Sequence, residues 1–164
     1  MSEIEDALNA LAILVKTIPT THPPDNRVWV HPTEGRLIST ENLPVVVLSK
    51  MNTEAGSWEA DSFGAGRHNW DILIAVYVAE GPIQATNANE LTLDALKNAS
   101  EWYKEMSDLL YANMTLSGTV DIIGDGDGKL FDYITDNIIW DARQYWGHLF
   151  VVPVTQKIIQ GVSA

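Results

Sequence analysis

The chain has no cysteine, so neither a disulfide framework nor a thiolate metal site is available to it. Basic residues are scarce: 10 Lys and Arg stand against 22 Asp and Glu, a formal net charge of −12. That balance excludes sequence reading of DNA, because phosphate contacts need clustered Lys and Arg. No apolar run approaches the length that spans a bilayer. The first residues carry Glu3, Glu5 and Asp6 where a secretory signal would carry Lys or Arg. Membrane insertion and export by that route are therefore not expected, and a reducing cytoplasm fits.

What the chain does have is enough length for a core. Its 164 residues read as a single domain that needs no staples. Six Trp is a high count, and Trp serves cores and protein interfaces alike. The acid excess favours solubility and repels other polyanions.

The stretch Trp70 to Val78 organises the rest. Trp70, Ile72, Ile74, Val76 and Val78 share one side of a period-2 ribbon, and Asp71, Leu73, Ala75 and Tyr77 share the other. Both sides are largely apolar, which predicts a central strand covered on two faces, or covered once and shared with a neighbouring subunit.

Before it, Ser2 to Ile18 predicts a helix. Ser2 and Glu5 form a capping box, Ile4, Leu8, Leu11, Val15 and Ile18 make the apolar stripe, and Pro19 ends it. Arg27 to His31 alternates as a short strand, and Leu43 to Ser49 forms the next. Met51 to Asn69 has no convincing element, only Gly56, Gly64 and Gly66 among aromatics. Such a loop is usually functional. Its Trp58, Phe63 and Arg67 are the candidate partner contacts.

A second helix is expected over Glu90 to Ala112, with an apolar stripe of Leu93, Leu96, Ala99, Tyr103, Met106 and Leu110. Strands follow at Leu116–Ile123, Tyr133–Asp141 and His148–Ile159, interrupted by an acidic Gly-rich loop over 124–132. The fold class is thus α+β: a mixed or antiparallel β-sheet covered by two α-helices in one domain, 1–164.

The chemistry-bearing candidates are few. Gly124 to Gly128 resembles a calcium loop, but counted from Asp125 the fifth and sixth positions are Lys129 and Leu130, and the frame fails. A tight acidic turn is the better reading. His22, His31, His68 and His148 stand singly, as surface or satisfied histidines. There is no Gly-x-Ser-x-Gly elbow, and Gly64-Ala-Gly66 precedes a strand where a phosphate cradle needs a helix. An enzyme is not expected, nor a metal or cofactor.

The segment Trp140-Asp-Ala-Arg-Gln-Tyr-Trp-Gly-His-Leu-Phe-Val-Val-Pro-Val154, read with the order of the elements before it, resembles the tail terminator (tail-completion) proteins of long-tailed bacteriophages. The leading amphipathic helix, the strands through Val45–Leu48 and Trp70–Val78, the helix with Trp102 and Met106, and the last strands follow that family's order. The resemblance implies a protomer of a homohexameric ring that caps the tail tube and joins the tail to the head connector. It implies partners in the tail tube protein and a head-completion protein, with DNA only passing through the channel. The location implied is the virion neck, with the host cytoplasm during assembly. The loops at Met51–Asn69 and Gly124–Gly128 depart from the family and take no assignment from it.

On this reading an acidic channel wall would repel passing DNA. Asp121, Asp125, Asp127 and Asp132 are the candidate channel-lining acids, with the Glu54–Asp61 loop as the alternative. Rival readings are a head-completion adaptor, a tail tube protein, or a small-ligand or carbohydrate-binding domain that uses Trp58 and Trp29.

Overall fold

The computed structural model describes residues 3–18, 28–30, 43–51, 56–60, 65–83, 85–87, 90–125, 128–140 and 142–159. Two very long strands form its spine: β4 (Ala65–Glu80) and β9 (Arg143–Ile159). They pair antiparallel from Ala65 opposite Ile159 to Glu80 opposite Tyr145. On the far edge of β4 lie β2 (Val45–Lys50) and β3 (Gly56–Ala60), and β1 (Val28–Val30) runs parallel to β2. On the far edge of β9 lie β7 (Ile122–Ile123) and β8 (Asp132–Trp140). The result is a mixed seven-stranded sheet, with β5 (Ala85–Asn87) and β6 (Glu90–Leu91) as a separate two-stranded ribbon.

Two helices cover one face. In α1 (Glu3–Val15), Ala7, Leu8, Leu11, Ala12 and Val15 are buried, as the period predicts, and Ile18 continues the stripe just beyond it. Ser2, the expected cap, and Pro19 lie outside the described residues. The helix stripe meets Val46, Leu48, Trp70, Ile72, Ile74 and Val76 of the sheet in the main core. Full burial of such aliphatic side chains contributes about 1.5–3 kcal/mol each. The α+β class, with one mixed sheet and two helices, is the observed architecture.

The second helix, α2 (Leu93–Tyr111), is capped by Thr92, whose hydroxyl accepts from the backbone N–H of Ala95. Its buried residues are Ala95, Ala99, Trp102, Met106 and Leu110. The expected stripe is therefore rotated: Leu93, Leu96 and Tyr103 are exposed. The stripe that is buried instead sets small Ala95 and Ala99 beside bulky Trp102. An apolar count alone ranks Leu above Ala and misses this.

Three more expectations are corrected. The stretch 51–69 is not a loop throughout: Gly56–Ala60 pairs with Ala65–Trp70 as a hairpin, Trp58 opposite His68 and Glu59 opposite Arg67. Pairing to β3 on one side and β9 on the other holds a strand that glycines would otherwise weaken. Leu116–Ile123 is mostly turn, because Leu116, Ser117 and Gly118 all take positive φ; only Ile122 and Ile123 join the sheet. Its alternation instead reflects Leu116 and Val120 dropping into the core between neighbours that stay at least partly exposed. The last two strands meet in a tight hairpin, Trp140 opposite Arg143, so β9 begins five residues earlier than His148.

Candidate functional site

The predicted candidates do not converge. Trp58 lies on β3 and Arg67 on β4, at adjacent registers of one hairpin, while Phe63 lies outside the described residues. Trp29 is only 6% exposed, its ring packed against Trp140, so it does not present a stacking face for a sugar. The pairing of exposed Trp29 with Trp58 in a ligand site is overturned by that burial.

The acids divide. Asp121 is exposed at the entry to β7, and its backbone N–H donates to Thr155 O. Asp125 closes a tight turn: its N–H donates to Lys129 O, and its carboxylate accepts from Lys129 N–H at 3.1 Å. Lys129 in turn pairs with Asp132 at 2.7 Å, and that contact raises the lysine's pKa. Asp127 lies outside the described residues. Asp71 on β4 is also drawn in: burial raises its pKa, and the charge of Asp132 adds to the rise. Among the described residues no group of three or more His, Asp and Glu is placed to hold a metal ion. No described helix is long and apolar enough to cross a membrane.

Two polar networks escaped the sequence reading. His148 is fully buried under α2. Its Nε2 lies 2.7 Å from Asn98 Oδ1, and its Nδ1 lies 2.9 Å from Thr135 Oγ1. An amide oxygen only accepts, so Nε2 carries the proton and Nδ1 accepts from the Thr135 hydroxyl. The neutral ring is thereby satisfied, and burial pushes its pKa down to about 4. Trp70 Nε1–H donates to Gln156 Oε1 at 2.8 Å, and the Gln156 amide donates to Thr119 O. Both networks tie helix or turn to sheet.

The surface feature that stands out is apolar. Exposed large apolar side chains among the described residues are Ile13, Ile122, and a group confined to two elements: Leu93, Leu96, Tyr103 and Tyr111 on α2, and Tyr133, Ile134 and Ile139 on β8. These elements adjoin. Tyr103 packs on Tyr133 with ring centroids 5.1 Å apart, and Asn98 and Thr135 meet through His148. Along α2 the order 98, 103 matches 135, 133 along β8, so the helix runs antiparallel to the strand. Ile139, 74% exposed, sits beside the hairpin tip. Among the described residues β8 pairs with β9 alone. The exposed apolar side chains thus concentrate beside a strand that has one partner among the described residues.

Compared with known proteins, the chain matches no protein-family model and no curated protein.

Proposed function

We propose that the chain is a structural virion protein, a tail terminator whose copies form a ring that caps the tail tube and joins the tail to the head connector. One observation carries the reading: an acidic α+β domain gathers its exposed apolar side chains along α2 and the open edge of β8. A monomer has no use for a long apolar edge, and a ring subunit needs one. In this reading there is no catalytic step and no cofactor. The partners in this reading are further copies of the chain, six to a ring as the resemblance implies, with the tube protein on one side and the connector on the other.

The acidic surface has a role in this reading. Asp121, Asp125 and Asp132 with Asp127 would give a channel wall that DNA passes without sticking. Replacing them with Asn and Ser should slow DNA ejection from assembled particles; unchanged ejection kinetics would remove the acids from that role.

The test is electron microscopy of particles made without this protein. Tails of uncontrolled length, unattached to heads, are the expected result. Normal-length tails beside leaky heads would move the protein to the head side, and normal virions would end the proposal.

A further inference from the structure

Between Thr17 and Ile18, just beyond α1, and the C-terminal half of α2 lies an open groove of about 680 Å³. That is the size of a ligand pocket. Ile18, Leu109 and Ala112 give it an apolar wall, and Glu101, Glu105 and Asp108 line it with carboxylates. We propose that this groove docks a basic amphipathic helix of a partner protein. An apolar side chain of that helix sits against Ile18, Leu109 and Ala112, and its Lys or Arg side chains face Glu101, Glu105 and Asp108. The groove serves this purpose whether or not the chain enters a ring.

Charge selects the occupant. Glu101, Glu105 and Asp108 recur at i, i+4 and i+7, one stripe about 10 Å long down α2. Like charges at that spacing repel one another within the helix. Asp108 also lies in the last turn, where the macrodipole disfavours an acid, and that turn holds no basic residue. Neither Glu101 nor Asp108 is ion-paired among the described residues, and Lys104 at the rim offsets only one of the three charges. The groove's uncharged polar groups are already engaged. The Thr17 hydroxyl donates to Leu14 O, and the Asn113 side-chain amide donates to Leu109 O. The demand left over is positive charge beside an apolar side chain.

A cationic face and an apolar face on one helix meet both halves of that demand. A polyamine supplies the charge without an apolar side chain. Nucleic acid and anionic lipid are repelled by the same carboxylates, and a second copy of the chain brings a net charge of −12.

The probe is a fluorescein-labelled amphipathic helix of Lys, Leu and Ala whose lysines repeat at the spacing of the three acids. It is titrated with the intact chain and read by fluorescence anisotropy. Saturable binding that weakens with added salt is expected, with amide shifts in nuclear magnetic resonance spectra centred on Ile18, Leu109 and Ala112. Glu101→Gln with Asp108→Asn should weaken binding roughly fivefold. Ala112→Arg, which sets the chain's own cation in the groove, should weaken it independently. These side chains are exposed, so circular dichroism should stay unchanged. Glu101→Lys with Asp108→Lys should turn away the lysine peptide and accept its glutamate counterpart, which general attraction to an acidic protein would not produce. Equal binding of a scrambled peptide of the same composition, or unchanged affinity in these variants, overturns the groove as a docking site. Displacement of the peptide by spermidine at equal charge concentration makes it a small-cation site and overturns the protein partner.

Discussion

The indole rings of Trp29 and Trp140 lie 6.0 Å apart, although their strands stand on opposite sides of the β4–β9 spine. Four strand spacings separate β1 from β8 along the sheet, on the order of 19 Å if it were flat. The sheet curls, and the β8–β9 hairpin tip folds over the face that carries no helix. Tyr77 closes the cluster, edge-on to both Trp140 and Tyr145. Its burial pushes the Tyr77 hydroxyl pKa up to about 12. Trp140→Ala should cost about 2–4 kcal/mol, somewhat less than a fully buried aromatic, because Trp140 is only half-buried. Urea denaturation measures it, and the near-ultraviolet circular dichroism of the coupled rings should weaken in parallel.

Gly147 is where the two long strands come too close for any side chain. A Cβ there would sit 1.7 Å from Val76 O, beside the register shift between Tyr77 and Ala79. Backbone cannot yield as a flexible side chain can, so Gly147→Ala should lose more than about 3 kcal/mol or fail to fold. Gly128→Ala is the comparison: its φ of +97° carries conformational strain, but nothing lies within 4 Å of the added carbon. Its cost should be about 1–2 kcal/mol. Equal losses at the two sites would refute the close-approach account.

His148 makes stability depend on pH. Its folded pKa lies below the ordinary value of 6.5, at about 4, so the native state favours the neutral ring. Its contribution is complete above pH 6.5 and is lost as pH falls towards 4, because the unfolded chain takes up the proton first. At about 1.4 kcal/mol per pH unit, the loss approaches about 3 kcal/mol. Carboxylates titrate at the lower end of that window, so the difference between wild type and His148→Gln isolates the ring. Parallel stability curves for the two from pH 7 to pH 4.5 would contradict the assignment.

Gln156 holds the Trp70 indole and the Thr119 carbonyl together. Gln156→Met keeps the volume but leaves the buried indole N–H without its acceptor, at a cost of about 1–3 kcal/mol. Adding Trp70→Phe should make that substitution much cheaper, since the stranded donor is then gone. A double-mutant cycle reads the coupling, and strictly additive losses would mean the hydrogen bond contributes nothing.

Much of this fold is legible along the chain where one period dominates. The parity of Trp70–Val78 separates Ile72, Ile74 and Val76, which enter the main core, from Ala75 and Tyr77, which join the aromatic cluster. The stripe of α1 is equally plain. In α2 the expected Ala99, Met106 and Leu110 are buried, but two apolar series compete around them, and the packing selects Ala95 and Trp102 over Leu93, Leu96 and Tyr103. The hairpin within 51–69 is hidden because glycine punctuates it and its support comes from β9, far along the chain. Surface chemistry is less legible still. His148 reads as a lone histidine until Asn98 and Thr135 are brought to it from α2 and β8.

The β4–β9 ladder has a mechanical consequence. Its hydrogen bonds lie across the strand direction, from Ala65–Ile159 to Glu80–Tyr145. Tension along the strands loads them in shear, so many must fail together. A pull at right angles instead unzips the outer strand β8 one bond at a time. Survival under such loads is governed by the unfolding rate. The domain is therefore stiff along its spine and yielding at its rim.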